Sequence, residues 1–209
     1  RAHTALAFVY VREGQYDKGI ELFKKGLELG QPNAEINSHL GMAYEKNGQI
    51  EEAISYYQKA LSINPGYYFA NIFLGNIYLK QKKNDLAEKE YKRALEIKKD
   101  DFLILTNLGK VYYNQLKYDL AIETFKKSLA LNPNQPPVYL ALAQIYKQQG
   151  NTQEAINILE KGSNLSIDNN DDILENEMNL LKSYWECFLQ KKSPVDVPKP
   201  TPTSVFALP

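Results

Sequence analysis

The residues able to carry chemistry are few and stand apart. There are two histidines, His3 and His39, 36 residues apart, and neither lies in an HExxH pair. No glycine-rich phosphate loop follows an apolar run, and no hydroxyl or thiol nucleophile has a base set beside it. Glu51-Glu52 and Asp100-Asp101 read as exposed carboxylate pairs near turns. Cys187 is the only cysteine. That rules out an internal disulfide framework and leaves too few thiols for a thiolate zinc site, so Cys187, between Trp185 and Phe188, reads as a buried, inert thiol. The expectation is a protein without catalytic residues, metal or cofactor, hence not an enzyme.

Composition narrows the partners. Twenty-five basic residues balance twenty-five acidic ones, so no net field draws the chain to nucleic acid or to an anionic bilayer. A basic column runs through Lys24, Lys25, Lys59, Lys92, Arg93, Lys126, Lys127 and Lys161. Glu21, Glu51, Glu52, Glu88, Glu90 and Glu123 stand among them, so the column reads as a solvated face and no nucleic acid is expected. No apolar run reaches the roughly 20 residues of a spanning helix, so no membrane insertion is expected either. The start "RAHTALAFVY" has no signal-peptide pattern and reads as a cut inside a longer protein. A cytoplasmic location is the expectation for a chain lacking a targeting signal.

What must position these residues is a repeat. In rows of 34 beginning at Ala34, Tyr68, Phe102 and Pro136, with a first row short of one residue, columns align without gaps. One holds Leu6, Leu40, Leu74, Leu108 and Leu142; the next holds Ala7, Gly41, Gly75, Gly109 and Ala143. A tyrosine column follows at Tyr10, Tyr44, Tyr78, Tyr112 and Tyr146. The second half of each row has Gly19, Ala53, Ala87, Ala121 and Ala155, then Phe23, Tyr57, Tyr91, Phe125 and Leu159, then Gly26, Ala60, Ala94, Ser128 and Gly162. Spacings of three, four and seven place these on one helical face, so each row is two amphipathic helices. Small residues let backbones approach, and large ones fill the space between rows. Gly, Asn or Asp in "REGQYD", "KNGQIE", "KKNDLA", "QLKYDL" and "QGNTQE" separates the two helices, and the "NP" pairs at Asn64 and Asn132 end the second.

These columns resemble the tetratricopeptide repeat family, whose pattern is W-x2-L-G-x2-Y, then A-x3-F, then A and P over 34 residues. No row has the tryptophan: His3, Asn37, Asn71, Leu105 and Tyr139 stand there. Lys99 replaces the third proline, and the fifth row ends in Ile167. The resemblance implies an all-α, right-handed superhelical solenoid of five helix-turn-helix repeats, at 1–33, 34–67, 68–101, 102–135 and 136–169. A capping helix at 170–192 and an extended proline-rich tail at 193–209 are expected to follow. A two-helix unit cannot bury its apolar face alone, so copies stack.

In the family the first helix of each repeat lines a concave groove. Carried over position by position, that gives Phe8 and Arg12 in the first row, His39 and Met42 in the second, and Phe69, Ile72, Phe73, Asn76, Leu79 and Lys80 in the third. The fourth adds Leu103, Asn107, Lys110 and Tyr113, and the fifth Leu140 and Gln144. The family's carboxylate clamp for chaperone tails is absent, because its lysine position is never Lys here and Asn76 is accompanied by Ile72. The apolar centre implies instead a non-catalytic scaffold or adaptor that binds a partner peptide or amphipathic helix. The alternative is a structural subunit or homo-oligomer joined through the C-terminal helix and tail, with Val205, Phe206 and Leu208 docked on a surface. A repeat domain severed from an enzyme is the third possibility.

Overall fold

The computed structural model describes residues 2–30, 33–169 and 171–190. Among the described residues the chain forms eleven α-helices and no strand: α1 (Ala2–Arg12), α2 (Tyr16–Glu28), α3 (Ala34–Lys46), α4 (Ile50–Ile63), α5 (Tyr68–Lys80), α6 (Asn84–Ile97), α7 (Phe102–Asn114), α8 (Tyr118–Leu131), α9 (Pro136–Gln148), α10 (Thr152–Asp168) and α11 (Asp172–Leu189). The architecture is a helical repeat solenoid. Contacts divide it into two compact units, α1–α6 up to Asp100 and α7–α11 from Asp101 onward. In the first unit α1 pairs with α2, α3 with α4 and α5 with α6, while α2 meets α3 and α4 meets α5. In the second, α7 pairs with α8 and α9 with α10, α8 meets α9, and α11 lies on α10 with a smaller contact to α9.

One contact closes the central hairpins. The aromatic residue sixteen positions after each glycine lays its ring against the first helix, and Tyr57, Tyr91 and Phe125 are fully buried there. A Cβ at Gly41, Gly75 or Gly109 would lie 2.8, 2.7 or 2.5 Å from those rings, closer than carbon atoms pack. Each buried ring removes enough apolar surface from water to stabilise its hairpin by about 2–3 kcal/mol. The hydroxyls are accommodated at the rim: Tyr57 donates to Glu45 Oε2 at 3.0 Å and Tyr91 to Asn76 Oδ1 at 2.7 Å.

The turns depart from the sequence expectation in two rows. Gly14, Gly48 and Gly150 occupy the left-handed region at φ 75, 79 and 83°, but the equivalent positions in rows three and four are Lys82 (φ 57°) and Leu116 (φ 60°). Asn84 and Asp119, to which the break was assigned, instead lie in the first turns of α6 and α8. The hydrogen-bond pattern of the turn imposes the left-handed residue whatever its type: Lys83 N–H donates to Tyr78 O at 2.8 Å and Lys117 N–H to Tyr112 O at 2.9 Å, as Gln49 N–H does to Tyr44 O at 2.9 Å. Replacing proline by Lys99 changes nothing in the path, since Lys98 (φ −130°, ψ 98°) matches Asn64 (−135°, 97°) and Asn132 (−140°, 102°). The fifth row, with no Asn-Pro, lets α10 run on for 17 residues, where α8 has 14.

Caps fix where first helices begin. The Asn33 side chain accepts from the N–H groups of Glu35 and Ile36 at 2.7 and 3.2 Å, and Asp101 accepts from Leu103 and Ile104 at 3.0 and 3.3 Å. Asp101 is therefore a helix cap rather than one of an idle exposed pair. At the far end α11 buries Leu174, Met178 and Trp185, with Met178 Sδ against the space where Gly162 lacks a Cβ. Cys187 is half-buried, more open than the sequence implied. The tail 193–209, with Val205, Phe206 and Leu208, lies outside the described residues, as does the end of the expected capping segment.

Candidate functional site

In the first unit the first helices present an aromatic seam. Position six of the second and third rows stacks on the buried ring of the preceding hairpin: His39 lies 6.1 Å from Phe23 with the rings 20° apart, and Phe73 lies 5.2 Å from Tyr57 at 29°. Phe8 meets His39 edge-on at 4.4 Å and Phe23 at 5.3 Å. His39 is half-buried and its Nδ1 has no hydrogen-bond partner. Burial pushes its pKa down, outweighing the opposing effect of the Glu35 carboxylate.

Phe69 is the most open member of the seam, 55 % exposed. It sits among Tyr68 at 5.4 Å, Tyr67 at 6.2 Å and Phe73 at 6.5 Å. Met42, Ile72, Phe73 and Leu79 are half-buried, and Arg12 and Lys80 are exposed. Asn76, expected to face a partner's backbone, has its carbonyl oxygen engaged by the Tyr91 hydroxyl, so it holds the hairpin together. Tyr67 and Tyr68 were missed as site residues. Their signal was the run of three aromatics in "GYYFAN", which places two tyrosines beside Phe69 where the chain enters α5.

In the second unit Leu103 is 61 % exposed on α7. Asn107 and Lys110 follow it, half-buried, one and two turns along, and burial pushes the Lys110 ammonium pKa down. The Tyr113 hydroxyl donates to Gln144 Oε1 at 3.2 Å, tying α7 to α9. Leu140 is 1 % exposed and has no surface to offer. It belongs to the core, because α9 is covered by both α8 and α10.

Most of the basic column is engaged within the protein. Lys25, Lys92 and Lys127 each pair with the glutamate one turn upstream at 2.7, 2.7 and 2.6 Å, and Arg93 with Glu90 at 3.1 Å. Lys24, Lys59 and Lys126 lie over the rings of Tyr44, Tyr56 and Tyr146 at 5.5, 4.2 and 5.7 Å. Among the described residues no group of three His, Cys, Asp or Glu could hold a metal ion, and no helix is long and apolar enough to cross a membrane.

Residues 1–30, 34–67, 75–115 and 115–166 each match a tetratricopeptide repeat model. The chain belongs to the tetratricopeptide repeat family. Solved structures of MamA share the repeat fold. MamA AMB-1 is 26 % identical, with a TM-score of 0.69 over 79 % of this chain and 90 % of that one. A second MamA crystal structure is 22 % identical, with a TM-score of 0.74 over 79 % and 96 %. The MamA RS-1 ArsTM double mutant is 18 % identical, with a TM-score of 0.76 over 81 % and 96 %. At those last two identities the likeness speaks for the fold alone. No curated protein sequence matches the chain. A repeat solenoid of this kind is a protein-interaction scaffold, a fold typically without enzymatic activity.

Proposed function

We propose that the protein is a non-catalytic adaptor and that the first-helix face of its first unit grips an apolar stripe of a partner polypeptide, a short peptide or one face of an amphipathic helix. The observation that carries this is the exposed Phe69 ring, buttressed by Tyr67, Tyr68 and Phe73. A large ring left more than half in water on a rigid helix costs free energy that a partner recovers by covering it, and aromatic anchors of this type dominate binding energy. Phe73 is fixed by its stack on Tyr57, so the platform is preorganised and little entropy is lost on binding. Leu103, with Asn107 and Lys110 beside it, supplies a second, separate contact on α7. The repeats are assigned to 1–33, 34–67, 68–101, 102–135 and 136–169, with α11 as the terminal helix. Peptides selected on the wild-type protein from a random display library test the proposal by titration calorimetry against Phe69→Ala. A loss of about tenfold or more in affinity, roughly 1.4 kcal/mol, with an unchanged far-ultraviolet spectrum, supports it. Equal affinities for the two proteins contradict it.

A further inference from the structure

Charge is distributed unevenly within the second unit. Its residues 101–190 carry seven lysines against eleven acidic groups, a net of −4, yet none of the eleven lies on α7 or α9. Asp101, which immediately precedes α7, has its carboxylate engaged as the cap of that helix. The two first helices carry lysines instead, Lys110 and Lys147. A chain of contacts connects them. The Tyr113 hydroxyl, one turn beyond Lys110 and on its side of α7, donates to Gln144 Oε1 at 3.2 Å, and Lys147 stands one turn beyond Gln144 on α9. With its carbonyl oxygen taken, Gln144 has its amide N–H groups left to offer. Lys147 Nζ donates to Thr152 Oγ1 at 3.1 Å and lies 5.6 Å from the centre of the Trp185 ring, contacts that fix its position without supplying a charge. Lys110 is half-buried, and burial disfavours its ammonium form, so an anion set beside it would stabilise that form. Leu103, 61 % exposed, shares a line of α7 with Asn107 and Lys110, four and seven residues along.

We propose that the first-helix face of the second unit takes an acidic segment of a partner polypeptide: Lys110, Lys147 and the Gln144 amide meet its carboxylates, and Leu103 covers an apolar side chain beside them. The inference rests on the reading of the protein as an adaptor and names the chemistry of its second contact. The ammonium and amide groups bring only donors, so the ligand must bring acceptors, and the two positive charges select a negative one. The net of −4 around this face repels an extended polyanion such as nucleic acid, which also has nothing for Leu103 to cover. Leu103 and Lys110 stand about 10 Å apart along the helix axis, a span that an extended segment covers in about three residues. The matching partner therefore has Asp or Glu about three positions from an apolar residue.

A random-peptide display library panned on the full-length Phe69→Ala protein tests this contact apart from the first-unit anchor. The recovered peptides are expected to be enriched in Asp and Glu over the starting library. By titration calorimetry their affinity is expected to fall about tenfold or more when Lys110→Met is added to Phe69→Ala, because one partner of a charge pair is then gone. It is also expected to fall as salt rises from about 0.05 to about 0.5 M. Circular dichroism melts establish that the variants are folded, and Lys147→Gln replaces Lys110→Met if that protein is not. No recovered binder, peptides without acidic enrichment, or equal affinities with and without the lysine would each overturn the inference. Peptides selected on the wild type that bind Phe69→Ala equally well would instead contradict the first-unit anchor and leave this contact standing.

Discussion

Leu116 spends its backbone in the left-handed region at φ 60° with its side chain 69 % exposed, so it carries the steric cost of that conformation with little burial to offset it. That cost is about 1–2 kcal/mol for a residue with a Cβ, against which glycine gives back about 0.5–1 kcal/mol of unfolded-state entropy. Leu116→Gly is expected to stabilise the protein by about 0.5–1 kcal/mol in urea titration; a loss of stability would show that the side chain packs in a way its exposure does not reveal. Gly75→Ala has the opposite sign. Its Cβ would fall 2.7 Å from the Tyr91 ring, and overpacking of this kind costs about 1–3 kcal/mol, more than the roughly 1 kcal/mol that alanine returns in helix propensity. A lower urea midpoint is expected, and an unchanged midpoint would mean that the ring moves freely. His39 supplies a pH dependence. Burial lowers its folded-state pKa, so the unfolded chain, with a value near 6.5, takes up the proton first. The stability linked to His39 is therefore fully present above about pH 6.5 and is lost as pH falls below it, by at most about 1.4 kcal/mol per pH unit. His39→Phe is expected to flatten the stability profile between neutral and mildly acidic pH; parallel profiles for the two proteins would remove His39 as the cause.

At the scale of helices, α11 is held by buried Leu174, Met178 and Trp185, with Ser163 Oγ donating to Asn179 Oδ1 at 2.8 Å and Lys182 paired with Glu160 at 3.3 Å across the contact with α10. Met178→Ala opens a cavity at the fully buried contact with Gly162 and is expected to cost about 2–5 kcal/mol, read as a lower thermal midpoint; a change within error would mean that α11 closes over the gap. The helices themselves were legible in the columns of Leu, Gly, Tyr and Ala, because spacings of three and four demand a helix and a glycine facing an aromatic demands a neighbour. Less was legible where a neighbour decides the outcome. Leu140 occupies a groove position of the family pattern, yet α8 and α10 both cover its helix. The left-handed Lys82 and Leu116 were hidden for a related reason: the turn's hydrogen bonds set the conformation, and the residue type only sets its cost. Asn76 was named from its position, but nothing in the first half of a row says that a tyrosine fifteen residues on will take its carbonyl oxygen.

For the whole molecule the same economy recurs. A hairpin of two helices has too little apolar surface to stand alone, so stability comes from the neighbour, and the proposed function comes from first-helix residues that remain uncovered. Two of the fully buried rings, Tyr57 and Phe23, are also those on which Phe73 and His39 stack and against which Phe8 stands edge-on, so the proposed interaction face is an outward continuation of the core and inherits its rigidity. Hydrogen exchange of the full-length protein, with and without a saturating peptide selected from a display library, tests this account most directly. Added protection is expected at α3 and α5, centred on Phe69, with α4 and α6 unchanged. Protection confined to the second helices, or its absence from α5, would contradict it.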